Sequence, residues 1–371
     1  FWSLNSGRNP ELVHSMQELA SSLCWFLAVL GIHSSDAATP LLRLSFRLHL
    51  LVNIGAGGYC LYSLYPTWSL EISNMILETV LAFGAFFSSI FMCYYYVSSK
   101  KFRALLSALE LGQKERSKAR LWCHRITLIT FLWMLIIGCI PDSVSYYLAL
   151  NPKTGADYLL FFLFAYSDFI LNMASVASGL FFSILCVLII IGIDYHIQQI
   201  MSSQNKTMDA HFFYHNLIRK KTLETTNLWQ YSIMATLFFC TSQLLLYFYN
   251  FFSADQTQQR HIAFNQMTSF IQQTLMVSTP LLAASVVTFK GDKIIQIVAQ
   301  LRGRHGEPSK ESETDITNDL SMWTIPAKFF YPSFSNEEIA QFVLHASVVK
   351  IEVQIFGVTI NFKILTTLYY T

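Results

Sequence analysis

Charge is what this chain has least of. Asp, Glu, Lys and Arg together make up 13% of its 371 residues, against roughly a quarter in typical soluble proteins. That shortage excludes an ordinary soluble domain. Proline and glycine are also sparse, at 9 and 15 residues. No Gly-rich phosphate loop, nucleophile elbow or paired-carboxylate motif occurs, so nothing points to an enzyme or to a bound cofactor. The seven cysteines, Cys24, Cys60, Cys93, Cys123, Cys139, Cys186 and Cys240, form no CxxC pair and no metal-spaced cluster. They read as small buried apolar residues. No basic stretch precedes the apolar segment Leu23–Ile32, so it does not read as a signal peptide. There is no internal repeat.

What the chain has instead is apolar length. Apolar residues reach 53%, Phe alone counts 31, and the mean hydropathy is +0.40. A membrane span needs about 20 apolar residues, because the hydrocarbon core is ~30 Å thick and a helix rises ~1.5 Å per residue. Six runs qualify: Leu44–Tyr65, Met75–Val97, Ile126–Leu148, Tyr158–Ile193, Leu228–Phe252 and Ile262–Phe289. The fourth is too long for one span and is expected to continue out of the membrane as a helix. A seventh run, Val353–Thr371, is still apolar where the chain stops. It is expected to be a span cut short. Each run must be helical, since lipid offers the backbone no hydrogen-bond partner. The expected fold class is all-α: a polytopic membrane protein of seven transmembrane helices.

Basic residues fall on alternate connections. Arg8, Arg43 and Arg47 precede or open the first span. Lys100, Lys101, Arg103, Lys114, Arg116, Lys118, Arg120 and Arg125 lie between the second and third. Lys206, Arg219, Lys220 and Lys221 lie between the fourth and fifth, and Lys290, Lys293, Arg302, Arg304, Lys310 and Lys328 follow the sixth. The other connections hold only Lys153 and Arg260. Positive residues stay in the cytosol, so the N-terminus is expected inside and the C-terminus outside, in a multi-pass plasma-membrane protein. That topology is opposite to a G-protein-coupled receptor.

The cytosolic connections read as helices. Phe102, Leu105, Leu106 and Leu109 share one face, as do Phe213, Tyr214, Leu217 and Ile218. Gly303–Asn318 is polar and expected to be disordered. Ser335-Asn336-Glu337-Glu338 is a capping-box pattern ahead of a short helix, Asn336–Ser347. The whole chain, 1–371, is thus read as one unit: spans one to six over 44–289, a partly disordered cytosolic linker over 290–335, and a short helix with a truncated final helix over 336–371. The segment Leu12–Ile32 reads as an interfacial helix or a half-buried eighth one.

Several constellations invite chemistry. His211 and His215 stand four apart, but with no third ligand they read as a solvated cytosolic face. The sequon Asn205-Lys206-Thr207 is expected to stay unglycosylated on a cytosolic loop. Asp168, alone in an apolar run, either faces a ligand cavity or makes a structural hydrogen bond to a nearby Ser, Tyr or Gln. The outer halves of spans three to six are rich in rings and amides: Trp133, Tyr146, Tyr147, Phe161, Tyr166, Phe169, Gln243, Tyr247, Phe264, Gln272 and Gln273. Singly these suit an aromatic belt or packing. Together they suit an outward-opening pocket for a small molecule. The candidate pocket is drawn from Trp133, Tyr146, Tyr166, Asp168, Phe169, Gln243, Tyr247, Phe264 and Gln273.

Seven spans, a cytosolic N-terminus and a short helix before a last apolar helix, with Asn336-Glu337, Phe342 and Phe356-Gly357-Val358-Thr359-Ile360-Asn361 at the end, resemble the insect gustatory and odorant receptor superfamily. The architectural part of the resemblance covers nearly the whole chain, and the residue match is confined to the end. There it departs from the gustatory Gly-Phe-Phe pattern. The resemblance implies a ligand-gated cation channel, a homo- or hetero-tetramer in the lipid bilayer, opened by a tastant or odorant and binding no nucleic acid. It also implies that Val358, Asn361, Leu365 and Leu368 lie on a pore helix, and that Ile339, Phe342 and Val343 on the short helix pack between subunits. A gustatory-like member is preferred slightly over an odorant-like one. A non-sensory relative of the same fold stays open. A G-protein-coupled receptor would want Asp-Arg-Tyr after span three and Asn-Pro-x-x-Tyr in span seven, and neither occurs. A secondary transporter would want repeated halves and broken helices, for which Pro280 in span six is a single weak sign.

Overall fold

The computed structural model describes residues 21–32, 40–64, 72–99, 101–109, 111–201, 207–253, 256–304 and 334–370. The described chain is a bundle of helices: α1 (Ser21–Val29), α2 (Pro40–Leu64), α3 (Ile72–Ser98), α4 (Lys101–Leu109), α5 (Gln113–Trp133), α6 (Ile140–Leu150), α7 (Gly155–Met201), α8 (Met208–Ser253), α9 (Gln256–Arg304), α10 (Asn336–Val348) and α11 (Phe362–Tyr370). Two short strands, β1 (Gln354–Ile355) and β2 (Val358–Thr359), stand between α10 and α11. The sequon residues Asn205 and Lys206, and most of the polar stretch after Gly303, lie outside the described residues.

The longest apolar run makes the axle of the bundle. α7 packs against α2, α3, α5, α8 and α9, and its core is buried nearly without interruption from Met173 to Ile193. A helix apolar on every side belongs in such a place. The third run is different: in its most apolar 18-residue window only 22% is buried, against 89% in α7. Ile129, Leu132 and Ile136 face outward there. Among the described residues, 113–139 and 155–201 are the helices apolar enough by length and composition to cross a bilayer.

Near the middle of α7 two rings of contacts hold the axle. Ser89 donates its hydroxyl to the Ala174 carbonyl at 2.6 Å and accepts from the Ser178 amide at 3.0 Å, tying α3 to α7. One and two turns further on, Trp229 of α8 sits fully buried against Tyr96, Phe181 and Phe182.

The ambiguous N-terminal segment resolves, over its described part, into a half-buried helix. Leu23, Phe26, Leu27 and Leu30 are buried while Trp25 is exposed. α1 stops because Gly31 turns left-handed at φ +76°. Its amide and that of Ile32 then take up the Ala28 and Leu27 carbonyls, both at 2.9 Å, which is a Schellman stop. The Val29 carbonyl left over accepts from Asn53 at 2.9 Å and lies 3.0 Å from the His49 ring nitrogen. A Cβ on Gly31 would stand 2.5 Å from the Leu50 nitrogen, so the turn needs glycine twice over.

Three sequence expectations need correction. The third apolar run contains Pro141, so Pro280 is not the only mid-span proline. Pro141 has no N–H for the Ile137 carbonyl and its ring crowds it. The residues just before it, Met134–Cys139, widen into a π-helix, a single turn of i→i+5 bonding. The final run is not one helix. It opens with the β1–β2 hairpin, paired Gln354 to Thr359 and Ile355 to Val358, and becomes helical only at Phe362. Lastly, His211 and His215 are not a solvated face: both are 1% exposed.

Candidate ligand cavity and the joint at the basic end

A cavity of about 280 Å³ opens where α5, α7, α8 and α9 diverge. Ile129, Thr130, Trp133 and Met134 come from α5 and its π turn, and Ser175, Val176, Gly179 and Leu180 from α7. Thr236 comes from α8, and Leu275, Met276, Thr279 and Pro280 from α9. Both irregular turns border it. The π turn ends α5 at Met134, and Pro280 denies the Met276 carbonyl its helical N–H. That carbonyl stands 3.5 Å from where a Cβ on Gly179 would be.

Its polar inventory is small. The hydroxyls of Ser175, Thr236 and Thr279 donate to the carbonyls of Leu171, Ser232 and Leu275, at 2.8, 2.9 and 2.8 Å. Their protons are committed, so toward a guest these oxygens accept. The Trp133 indole nitrogen is buried and has no hydrogen-bond partner among the described residues. It is donor only. A mostly apolar hollow with a few hydroxyls and the Trp133 indole in its lining suits a small apolar molecule carrying a hydroxyl.

Of the nine residues proposed from sequence, Trp133 lines this cavity. Tyr146 stacks on Phe164 with centroids 3.7 Å apart, and Phe169 meets Phe131 edge-on at 6.3 Å. Tyr166 donates its hydroxyl to Asn53 at 2.7 Å. Asp168 is 4% exposed and accepts from Asn172, one turn along its own helix, at 3.0 Å. The side chains of Gln243, Tyr247, Phe264 and Gln273 lie outside the described residues. The cavity starts at Ser175, seven residues beyond Asp168, which is about 10 Å along the helix. It therefore lies closer to the basic end than sequence suggested. Ser175, Gly179, Thr236, Met276 and Thr279 were not named from sequence, and the one signal for them was the pair of prolines, Pro141 and Pro280, in the third and sixth runs.

The second site lies at the basic end, where α7, α8, α9 and α10 meet. Ser335 caps α10, accepting from the Glu338 amide at 3.2 Å while Glu338 accepts from the Ser335 amide at 2.8 Å. The Ser335 amide and hydroxyl, both donating to it, hold the Glu338 carboxyl below its usual value. Phe342 is fully buried among Phe212, His196 and His215. Ile339 is buried as well. Sequence had placed both between subunits, but they are spent inside the chain, and Val343 is half-buried beside them. The large apolar residues that α10 turns outward are Leu344 and Val348, 67% and 75% exposed.

Beyond α10 the chain is clamped. The Val349 carbonyl lies 2.8 Å from the His215 Nε2, and the Val353 amide donates to the Thr288 hydroxyl at 3.2 Å. Gly291 of α9 lets the Ile351 carbonyl approach so closely that a Cβ there would stand 2.0 Å from its oxygen. One residue before, Lys290 donates to Asp194 of α7 at 2.7 Å, with Lys118 at 4.0 Å from the same carboxylate. Burial holds the Lys293 ammonium below its usual value; the neighbouring Lys290 charge acts the same way and Asp194 opposes it. The hairpin turn that follows has Phe356 at φ +49° and Gly357 at φ +80°, the two positive angles that a tight two-residue hairpin demands. Phenylalanine is a strained choice there. It is held by its amide, which donates to Gln230 at 3.2 Å, and by an edge contact with Tyr231. Val358, expected on the pore helix, lies on β2. Asn361 caps α11, accepting from the Ile364 amide at 3.0 Å. Leu365 falls within α11, as does Leu368.

No protein-family model and no curated protein matches this chain. Solved structures do. The insect olfactory receptor OR5 from Machilis hrabei superposes with a TM-score of 0.64 at 11% identity, covering 97% of this chain and 96% of that one. The same receptor in complex with eugenol gives the same values. The fold is that of an insect olfactory receptor. At 11% identity the match rests on the path of the chain. Along nearly its full length this all-α chain, with its N-terminal half-buried helix, its axle α7 and its terminal hairpin and helix, follows that olfactory-receptor fold.

Proposed function

We propose that the chain is a chemosensory receptor of the insect chemoreceptor superfamily, a subunit of a ligand-gated cation channel in the plasma membrane. Seven spans carry the N-terminus in the cytosol and the C-terminus outside, and subunits assemble as a homo- or hetero-tetramer. The observation that carries the ligand-binding part is the apolar cavity lined by Trp133, whose buried N–H has no partner among the described residues, within a fold whose solved example was also obtained with eugenol. The guest is a small apolar molecule with a hydroxyl group, odorant or tastant. Its oxygen accepts from Trp133, and its proton goes to a hydroxyl oxygen or to the Met276 carbonyl. A preference for a gustatory-like member rests on Asn336-Glu337 and on the run into Asn361.

Ligand gating requires tighter binding to the open state than to the closed one. The cavity is bordered by α9, and α9 holds the 349–353 segment through Thr288 and Gly291. A guest that moves α9 therefore moves the hairpin and α11. The pore face begins at Asn361 and continues through Leu365 and Leu368, with Val358 now outside it.

Whole-cell recording from cells expressing the full-length chain tests this. Apolar alcohols and phenols should evoke a cation current without any G protein. Trp133→Phe should raise the half-maximal concentration about ten-fold, the worth of roughly one hydrogen bond in a buried site, while ligands lacking oxygen lose nothing. An epitope tag at the N-terminus that is reached from outside would overturn the topology.

A further inference from the structure

Outside the apolar runs, four histidines from three helices gather, two of them against Phe342. His196 of α7 lies 6.2 Å from His215 of α8 and 5.7 Å from His211, ring centre to ring centre, and His345 of α10 lies 6.1 Å from His215. Phe342 touches His196 and His215, and His196, His211 and His215 are all buried. The geometry points to a proton-operated latch: protonation of His215 from the basic end weakens the docking of α10 and the 349–353 segment on α8, and so biases the hairpin and α11 beyond it. The position of that end in the cytosol rests on the topology proposed above, but the latch itself does not.

The tautomer is set by the partner. A carbonyl only accepts, so the Nε2 that meets Val349 carries the proton, and Nδ1 carries none in the docked state. Nδ1 is buried without a hydrogen-bond partner among the described residues. A second proton there would be a charged donor with nothing to bond. Titratable or charged groups face His215 from three helices. α7 presents His196, α10 presents His345 and the Phe342 ring, and α8 itself presents His211 and Arg219. α9 meets the clamped segment with Thr288 and Gly291, neither charged. The charges acting on His215 are those of His345 and Arg219, and both repel a proton.

Burial chiefly, with His345 and Arg219 adding to it, holds His215 below its ordinary value of 6.5, and the bond to Val349 opposes the shift without reversing it. The docked state thus binds a proton more weakly than the released state. Docking is at full strength above about pH 6.5 and loses ground as the pH falls below it. For one proton the limit is about ten-fold in the docking equilibrium per pH unit. A shift of that size is enough to move a two-state element whose states differ by little.

Hydrogen–deuterium exchange on the full-length chain in lipid nanodiscs, at pH 7.5 and 6.0 with the intrinsic rate divided out, reads the latch directly. The reporters are the Val349 amide, bonded to the His345 carbonyl, and the Val353 amide, bonded to Thr288. In the wild-type chain their protection should fall on acidification, by at most about ten-fold per pH unit. His215→Gln can still donate to the Val349 carbonyl but cannot titrate, so it should keep its protection at both pH values. A wild-type chain with no pH dependence, or a His215→Gln chain that loses protection equally, overturns the proposal. Should His215→Gln not fold, His345→Gln decides: losing a repelling neighbour must make the pH dependence shallower, and an unaltered profile overturns the latch. PH-dependent exchange in a chain that passes no current under any ligand would count against the channel and leave the latch standing.

Discussion

Around Phe342 the chain closes on itself backbone to backbone, with Ile351 laid against Gly291 and Val349 held by His215, whereas around Trp133 the same helices part and leave about 280 Å³ open. α7 and α9 serve both places, so neither composition nor helix type explains the contrast. Local breaks do. Near Trp133, Pro141 and Pro280 spoil two helical ladders and a π turn follows α5. Near Phe342 the ladders run unbroken and one glycine admits a foreign carbonyl. A receptor needs both kinds of place. Slack lets a guest in, and a stiff joint carries its effect to another segment rather than absorbing it.

That contrast can be broken by substitution. The largest effect should come from Phe342→Ala. The ring is fully buried among Phe212, His196 and His215, and removing such a side chain costs roughly 3–5 kcal/mol. Thermal unfolding of the detergent-solubilised chain should show it as a clear drop in Tm. Gly291→Ala comes next. Its new methyl would overlap a carbonyl, which cannot rotate away as a side-chain tip could, so the 349–353 segment must lift off. Overpacking of this sort costs about 1–3 kcal/mol. The same melt reads it, and proteolysis should cut between α10 and α11 faster than in the wild-type chain. If Gly291→Ala melts like the wild type, the joint is looser than its geometry shows.

Sequence reading did well wherever one physical signal dominated. The apolar runs located α2, α3 and the cores of α7, α8 and α9, since length and hydropathy suffice for a helix in lipid. Ser335 and Glu338 announced α10 because a cap is a local bond between residues three apart. Where the outcome depended on partners distant in sequence, the reading failed. Nothing near His215 reveals that Val349 will receive its proton, so a buried clasp looked like a solvated face. Ile339 and Phe342 were correctly seen as a contact face but assigned to the wrong partner, because periodicity shows which side is apolar and never what covers it. Val353–Ile360 was apolar enough to pass for helix. Only the left-handed pair Phe356-Gly357 tells otherwise, and a phenylalanine there gives no warning. The aromatic residues named for the pocket also take partners distant in sequence. Tyr146, Tyr166 and Phe169 spend themselves on Phe164, Asn53 and Phe131, and the space is made by the small residues Ser175 and Gly179.

Gly179→Ala should give the smallest effect and the sharpest comparison, because it repeats the Gly291 substitution on the slack side. A Cβ there would meet the Met276 carbonyl at 3.5 Å and the Pro280 ring at 3.7 Å, ordinary contacts that require no movement. Alanine is also the better helix former by roughly 0.5–1 kcal/mol, so the melt should stay unchanged or rise slightly, opposite in sign to Gly291→Ala. The added methyl must then occupy cavity space beside Pro280. Response to the bulkiest active ligands should weaken while the smallest are unaffected, a loss of size range without loss of stability. Destabilisation by Gly179→Ala comparable to that of Gly291→Ala would mean that the cavity is as closely packed as the joint, and the division between the two regions would fail.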